Sequence, residues 1–432
     1  MKIFVEPCLL KGKISAPPSK SYSHRILLCA SIPRGTIVVH GISKSVDMIA
    51  TMECIKAFTS KEAFAQADKV TVFGQGKEAF NCYNYNCHES GSTLRFFIPL
   101  SLYGGNPATF TAAPRLIERG IGIYEDLFLK KNISVTINRE TNQIQLNGKL
   151  TSGKYELPGN VSSQFVTGLL FALPLLDGDS VIKIIPPLES RSYINITIDV
   201  LKLFGIKVQV SDDGLEYFIP GNQKYVSEDH HIYVEGDWSN ATPLLAFNNF
   251  GANLDVTGLN YNSCQGDKIC VEYLKLLESE NARIDLQDCP DLGPVLMAVA
   301  AASGNGAEFI NTRRLRIKES DRAQAMKDEL LKFGIKVDVN ENDVVIHKGK
   351  LQKPCCELDS HNDHRIVMAM TLLCSLPGMG GLINQAESIC KSYPDFFIEL
   401  SKVGLSAKAV DSESNALLNQ IELYDYLSTL KT

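Results

Sequence analysis

Residues 200–210, VLKLFGIKVQV, are written a second time almost letter for letter at 330–339, LLKFGIKVDV. Looser copies occupy 124–137, 273–286 and 397–405, and 52–73 reads as one more. Each copy has the form of an amphipathic helix end, a glycine or polar stop, and an alternating strand. Glycine one step past the last helical turn supplies the left-handed backbone that ends a helix cheaply. Alternation such as Ile206, Val208 and Val210 turns one strand face into a core. Duplicated helix–strand units predict an α/β protein. Their spacing is too irregular for a solenoid, so compact clustering is expected. At 432 residues the chain is too long for one ordinary core, which favours two globular domains. Glycine-bearing junctions at Gly221-Asn222 and Val234-Glu235-Gly236-Asp237 are candidate crossings between them. The stretch 412–432, polar and then weakly amphipathic (Leu417, Leu418, Ile421, Leu423, Leu427), reads as an appended helix.

Charge narrows the partners. A formal net charge of −6 argues against a general nucleic-acid binder. It leaves anionic small molecules open, because a cleft can collect cations while the surface stays acidic. No signal-like leader follows Met1, and no apolar run approaches a membrane span, so a cytoplasmic location is expected. Twelve cysteines without a spacing rule predict buried free thiols rather than a zinc or redox motif.

A second pattern bears on chemistry. Small polar residues open apolar helices at Ser19-Lys20-Ser21 with Arg25, Ser90-Gly91-Ser92-Thr93 with Arg95, Ser162-Ser163-Gln164, Ser239-Asn240-Ala241-Thr242 and Asn362-Asp363-His364-Arg365. One such start is ordinary capping. Several, with Arg119, Arg322, Lys318 and Lys391 nearby, suit phosphate and carboxylate ligands, which helix N-termini and arginine forks both favour. The densest run is 313–322, RRLRIKESDR. Its alternation predicts Arg314, Arg316 and Lys318 on one side of an extended segment, with Ser320 capping a helix over 323–333. Glu319, a carboxyl among cations, is a candidate for proton transfer.

Taken in order, these pieces resemble the 5-enolpyruvylshikimate-3-phosphate synthase family. The matching residues are Pro18-Ser19-Lys20-Ser21 with Arg25, Gly91 to Arg95, Val161-Ser162-Ser163-Gln164, Ser190 with Tyr193, Pro290-Asp291, Arg316 to Arg322, Asn362 to Arg365, and Lys391-Ser392-Tyr393-Pro394-Asp395. The resemblance implies an α/β (α+β), inside-out barrel-like fold of two domains with three βαβαββ repeats each, closing on the substrates. The implied domains are 17–233, and 1–16 together with 234–411. It implies transfer of the enolpyruvyl group of phosphoenolpyruvate to the 5-hydroxyl of shikimate-3-phosphate by a monomer, without metal or cofactor, and competition by glyphosate. Carried over, Ser21, Arg25, Ser162, Ser163, Ser190, Tyr193, Asp291 and Lys318 contact shikimate-3-phosphate. Gly91, Arg119, Arg322, Arg365 and Lys391 contact phosphoenolpyruvate, and Lys20 and Gln164 lie near both. Asp291 and Glu319 are the implied proton-transfer acids, assisted by Lys20. Glu89 and Arg314 depart from the family's usual asparagines. The alternatives are the sister transferase acting on UDP-N-acetylglucosamine, whose usual Lys-Asn pair is Lys20-Ser21 here, and a non-catalytic anion binder of the same fold.

Overall fold

The computed structural model describes residues 1–61, 63–66, 68–76 and 84–410. The helix expected over 412–432 lies outside the described residues. The chain divides into two compact units, Met1–Pro17 with Gly236–Thr432, and Pro18–Glu235. Gly221-Asn222, expected as a crossing, sits inside the second unit, where the Gly221 amide donates to Asp179 Oδ1 at 2.9 Å.

One sheet shows the repeat in full. Strands Asn84–His88, Ala108–Ala112, Gln143–Asn147 and Ser134–Asn138 lie side by side in that order. The first pair is parallel and the others are antiparallel. Helix Gly91–Ser101 joins the first two strands. Helices Pro114–Arg119 and Gly122–Leu129 precede the last two. The result is βαβαββ. The same order recurs in the sheets built on Gly153–Pro158 and on Ala282–Asp285. In two further sheets a distant strand completes the pattern. His231–Tyr233 lies parallel to Gly35–His40, and Lys2–Val5 is inserted between Gly381–Asn384 and Ala407–Val410. The sixth sheet is the parallel pair Lys11–Ser15 and Asn253–Thr257. Each unit therefore holds three sheets. Among the described residues none closes into a barrel.

The fold is inside-out because the first helix of each repeat is apolar nearly all round. His364–Ser375 is buried at every position, and Gly293–Ser303 at its first nine. A helix with no polar face belongs in a core. Gly168 lets helix Ser163–Ala172 approach Gly91–Ser101 so closely that a Cβ would collide with the Arg95 carbonyl and the Tyr124 hydroxyl. Each unit keeps its own core, around Phe96, Phe171 and Tyr155 in one and Leu296, Phe309 and Met368 in the other.

All six echo copies end their helix on a left-handed residue: Ser60 (φ 55°), Asn132 (58°), Gly205 (73°), Asn281 (60°), Gly334 (78°) and Gly404 (109°). The strand after Gly205 is shorter than the alternation predicts. Only Gln209–Val210 pairs, and Val210 is exposed while Ile206 is buried. Three other local expectations are corrected. Arg313–Ile317 is a 3-10 turn rather than an extended segment, so Arg314 is buried while Arg316 is exposed and bonds the Asn340 carbonyl. Asp321 rather than Ser320 caps the following helix, because its carboxylate accepts from the Gln324 amide while Ser320 turns to Asp363. The Trp238–Asn248 helix begins earlier than Ser239, capped by Asp237. The described cysteines are free and mostly buried, but Cys264, Cys355 and Cys356 are exposed. No helix among the described residues is long and apolar enough to cross a membrane.

Candidate active site

Six buried helices mean six N-termini whose first amides have no partner within the helix. In this chain they carry the polar residues singled out above. The candidate residues fall at two positions of each repeat, the start of the buried helix and the start of the second helical segment.

In the unit Pro18–Glu235, Ser19, Ser90 and Ser162 cap the three buried helices, accepting from Tyr22, Thr93 and Gln164 amides. Arg25 is 2% exposed, and its donors go to Thr197 Oγ1 (2.8 Å), the Ser21 carbonyl (2.7 Å) and the Tyr193 carbonyl (3.1 Å). No carboxylate is among these partners, and burial pulls its guanidinium down to about 10. Arg95 Nη1 donates to Gln164 Oε1 at 2.6 Å, and Gln164 Nε2 donates to Ser92 Oγ at 3.0 Å, tying two helix starts together. Gly91 lies against this group. A Cβ there would stand 2.9 Å from Arg95 Nη1, 3.4 Å from Gln164 Oε1 and 3.6 Å from Arg119 Nη1. Arg119 ends the short helix Pro114–Arg119, and its buried Nε has no hydrogen-bond partner. Lys20 pairs with Asp47 at 2.8 Å. Ser190, fully buried and left-handed (φ 55°), begins the helix that carries Tyr193. Ser163 is buried and Ser162 half-buried beside Gln164.

In the other unit Arg322 is the hub. Its Nη1 donates to Asp291 at 2.6 Å, Nη2 to Glu319 at 2.8 Å, and Nε to Asp363 at 2.8 Å. Three carboxylates hold it charged against its burial. The guanidinium expected to offer a fork to ligand is thus engaged with acids. Lys318 meets Asp291 at 3.0 Å. Burial raises the Asp291 carboxyl, but Lys318, Arg322 and Arg365 together hold it well below the usual carboxylate range. Burial also lowers the Lys318 ammonium, and Arg314 adds to the fall. Arg365 follows Asp363, which caps its helix. It is 3% exposed, its Nε has no partner, and its hydrogen bond is a long one to Met368 Sδ at 4.0 Å. Lys391 Nζ donates to the Asn362 carbonyl at 2.8 Å. No cluster of three or more candidate metal ligands occurs among the described residues.

Two acids were missed in the sequence. Asp267, on the turn Gly266–Ile269, is buried, and burial with Asp291 and Asp237 nearby pushes its carboxyl up to about 7. Asp47 partners Lys20. Both stand in the first turn of the second helical segment of their repeat, the region whose caps and ends also hold Arg119, Ser190, Lys318 and Lys391. Aligning the repeats by their helix starts would have flagged them.

The fold is that of the enolpyruvyl transferases. EPSP synthase from Acinetobacter baumannii superimposes with a TM-score of 0.75 at 22% identity, covering 95% of this chain and 100% of that one. The enolpyruvyl transferase NikO from Streptomyces tendae does so at 0.74 and 12% identity, over 94% and 98%. The chain belongs to the EPSP synthase (3-phosphoshikimate 1-carboxyvinyltransferase) family, whose model matches residues 6–400. Relatives named 3-phosphoshikimate 1-carboxyvinyltransferase include those of Clostridium kluyveri, 40% identical over 93% of this chain and 97% of the relative, and Clostridium novyi, 36% identical over the same shares.

Proposed function

We propose that the chain transfers the enolpyruvyl group of phosphoenolpyruvate to the 5-hydroxyl of shikimate-3-phosphate, releasing phosphate, and that the residues above carry that reaction. The observation that carries the site assignment is a set of arginines, the buried Arg25 and Arg365 and the half-buried Arg119, whose guanidiniums have no carboxylate hydrogen-bonded to them. A guanidinium taken from water without a carboxylate on its donors is costly, and an anionic ligand offsets that cost. Two phosphates and two carboxylates bring roughly −5 of charge, the kind of ligand charge that such cations on each unit suit.

Ser21, Arg25, Ser162, Ser163, Ser190, Tyr193, Asp291 and Lys318 are assigned to shikimate-3-phosphate. Gly91, Arg119, Arg365 and Lys391 are assigned to phosphoenolpyruvate, with Lys20 and Gln164 near both. Arg322 joins the second set only by yielding a donor from Glu319 or Asp291; otherwise it orients those acids. In the addition step the ring 5-oxygen forms a bond to C2 of phosphoenolpyruvate. The hydroxyl proton passes to an acceptor, and C3 takes up a proton. In the elimination step the C2–O bond to phosphate breaks and C3 returns its proton, leaving the enol ether. Asp291, held ionised by its cations, suits the hydroxyl. Glu319 suits C3. Lys20 and the helix-start amides stabilise charge on the departing phosphate. A cytoplasmic monomer working without metal is part of the same proposal.

The test is phosphate release that requires both substrates. Glu319→Gln keeps a hydrogen-bonding side chain but cannot exchange the proton, so kcat should fall by about 10²–10⁴ with substrate KM values little changed. Asp291→Ala should lose turnover as well. Full phosphate release by both variants would refute the assigned roles.

A further inference from the structure

The segment 359–363 is held in an unfavourable shape by a helix that also carries Arg322. His361 and Asn362 are consecutive residues with φ 52° each, in the left-handed region. Asparagine tolerates that region and histidine does so less readily, so two in succession persist only where the surroundings fix them. Helix Arg322–Lys332 does the fixing at two points. At its start Arg322 Nε donates to Asp363 Oδ2 at 2.8 Å. Seven residues on, about 10 Å along the axis, Glu329 accepts from the Asp359 amide at 3.0 Å and from His361 Nε2 at 3.0 Å. Glu329 is 1% exposed, and Lys332 Nζ meets both of its oxygens at 2.9 Å. The His361 amide donates in turn to Asp359 Oδ1 at 2.6 Å.

What this shape presents is functional. The carbonyl of Asn362 accepts from Lys391 Nζ at 2.8 Å, and Asp363 accepts from the Arg365 amide at 2.9 Å. Turning Asn362 out of the left-handed region would swing that carbonyl away from Lys391 and shift the start of the Arg365 helix.

We propose that the contact between Glu329 and His361 positions Arg365 and Lys391 for the phosphoenolpyruvate phosphate or carboxylate. This rests on the assignment of those two cations made above. Neither Glu329 nor His361 touches substrate, so each acts through the loop.

Charge makes the contact pH-dependent. The groups acting on His361 are Glu329 and Asp328 from the helix and Asp359 from the loop, while Lys332 pairs with Glu329 and the Cys356 thiol lies beside both of them. The hydrogen bond to Glu329 raises the imidazole above its ordinary value, partly opposed by burial. The sign follows from a raised folded value. The stronger, charged contact is complete below the unfolded histidine's pKa and is lost as pH rises through the folded one.

The experiment measures both substrate KM values against pH for wild type, His361→Asn and Glu329→Gln. Asparagine accepts the left-handed backbone, so His361→Asn removes the ring contact without adding strain. In both variants KM for phosphoenolpyruvate should rise roughly tenfold, less than the hundredfold of a full ångström's misplacement. KM for shikimate-3-phosphate should stay within about twofold, the size of change that a site left in place shows. Wild type should show a phosphoenolpyruvate KM that rises as pH passes above the raised His361 value, and His361→Asn should lack that rise. An unmoved phosphoenolpyruvate KM, or equal movement of both KM values, overturns the proposal. Arg365→Lys, run alongside, separates the two readings. If it leaves the phosphoenolpyruvate KM untouched, the site assignment falls and the positioning role falls with it. A response there with none at His361 and Glu329 overturns the positioning role alone.

Discussion

Gly91 shows how much one side chain decides. It is the first residue of a buried helix and has no left-handed backbone, so alanine there meets no conformational barrier. The cost is elsewhere, since the new methyl would sit 2.9 Å from Arg95 Nη1 and 3.6 Å from Arg119 Nη1. The Arg95 guanidinium must give way, disturbing its bond to Gln164, and the methyl takes up space beside Arg119, which is assigned to phosphoenolpyruvate. Gly91→Ala is therefore expected to raise the phosphoenolpyruvate KM about tenfold, near 1.4 kcal/mol, without lowering the melting temperature. Steady-state kinetics and a thermal melt on one preparation check both halves. The arginines were legible in the sequence as residues that suit anions, but which of their guanidiniums bond carboxylates was not. Arg25, Arg365 and Arg322 read alike as letters near helix starts, yet Arg322 is surrounded by Asp291, Glu319 and Asp363. Only the tertiary path of the chain bonds those acids to the Arg322 guanidinium and leaves the guanidiniums of Arg25 and Arg365 without a carboxylate hydrogen bond.

At the scale of the element, the helix–stop–strand echo was the most readable feature, because a left-handed residue is a local requirement written into a single position. Gly205 and Gly334 end their helices at φ 73° and 78°, while Asn132 and Asn281 serve the same purpose in the looser copies. Gly334→Ala is expected to destabilise the protein by about 1–2 kcal/mol, the cost of a Cβ in the left-handed region. Its Cβ would press on Gln352 Cδ at 3.0 Å, a side chain able to move, so the backbone sets the size of the effect. A urea midpoint lowered with kcat/KM unchanged is the expected result. Boundaries were less legible. Asp237 and Asp321 displaced Ser239 and Ser320 as caps because a carboxylate stood one or two residues away and reached the amides first. The 3-10 turn Arg313–Ile317 was misread because alternating charge is compatible with an extended chain and with a tight turn alike.

For the whole molecule, the repeat explains both what the sequence revealed and what it hid. Helix starts rich in serine, glycine and arginine stood out as motifs, whereas Asp267 had no local signal; only its equivalence to Asp47 across repeats marks it. Its consequence is nonetheless global, because it links the protein's stability to pH. Its folded carboxyl titrates near 7, raised by burial first and then by Asp291, with Arg365 and Lys318 pulling the other way. An unfolded aspartate titrates near ~3.9. Between those values the folded form keeps a proton that the unfolded form has released, so stability falls as pH rises through that window. Asp291 has the opposite sign, since its depressed value contributes stability that is lost only in acid. The overall pH profile mixes the two, and the clean quantity is the difference between wild type and Asp267→Asn. Relative to that variant, wild type should lose stability steadily from about pH 4 to about pH 7, read as diverging urea midpoints. Parallel midpoints across that range would place the Asp267 proton elsewhere. Binding two polyanions should hold the proton on Asp267 more firmly, so proton uptake on substrate binding near neutrality, measured in buffers of different ionisation enthalpy, should disappear in Asp267→Asn.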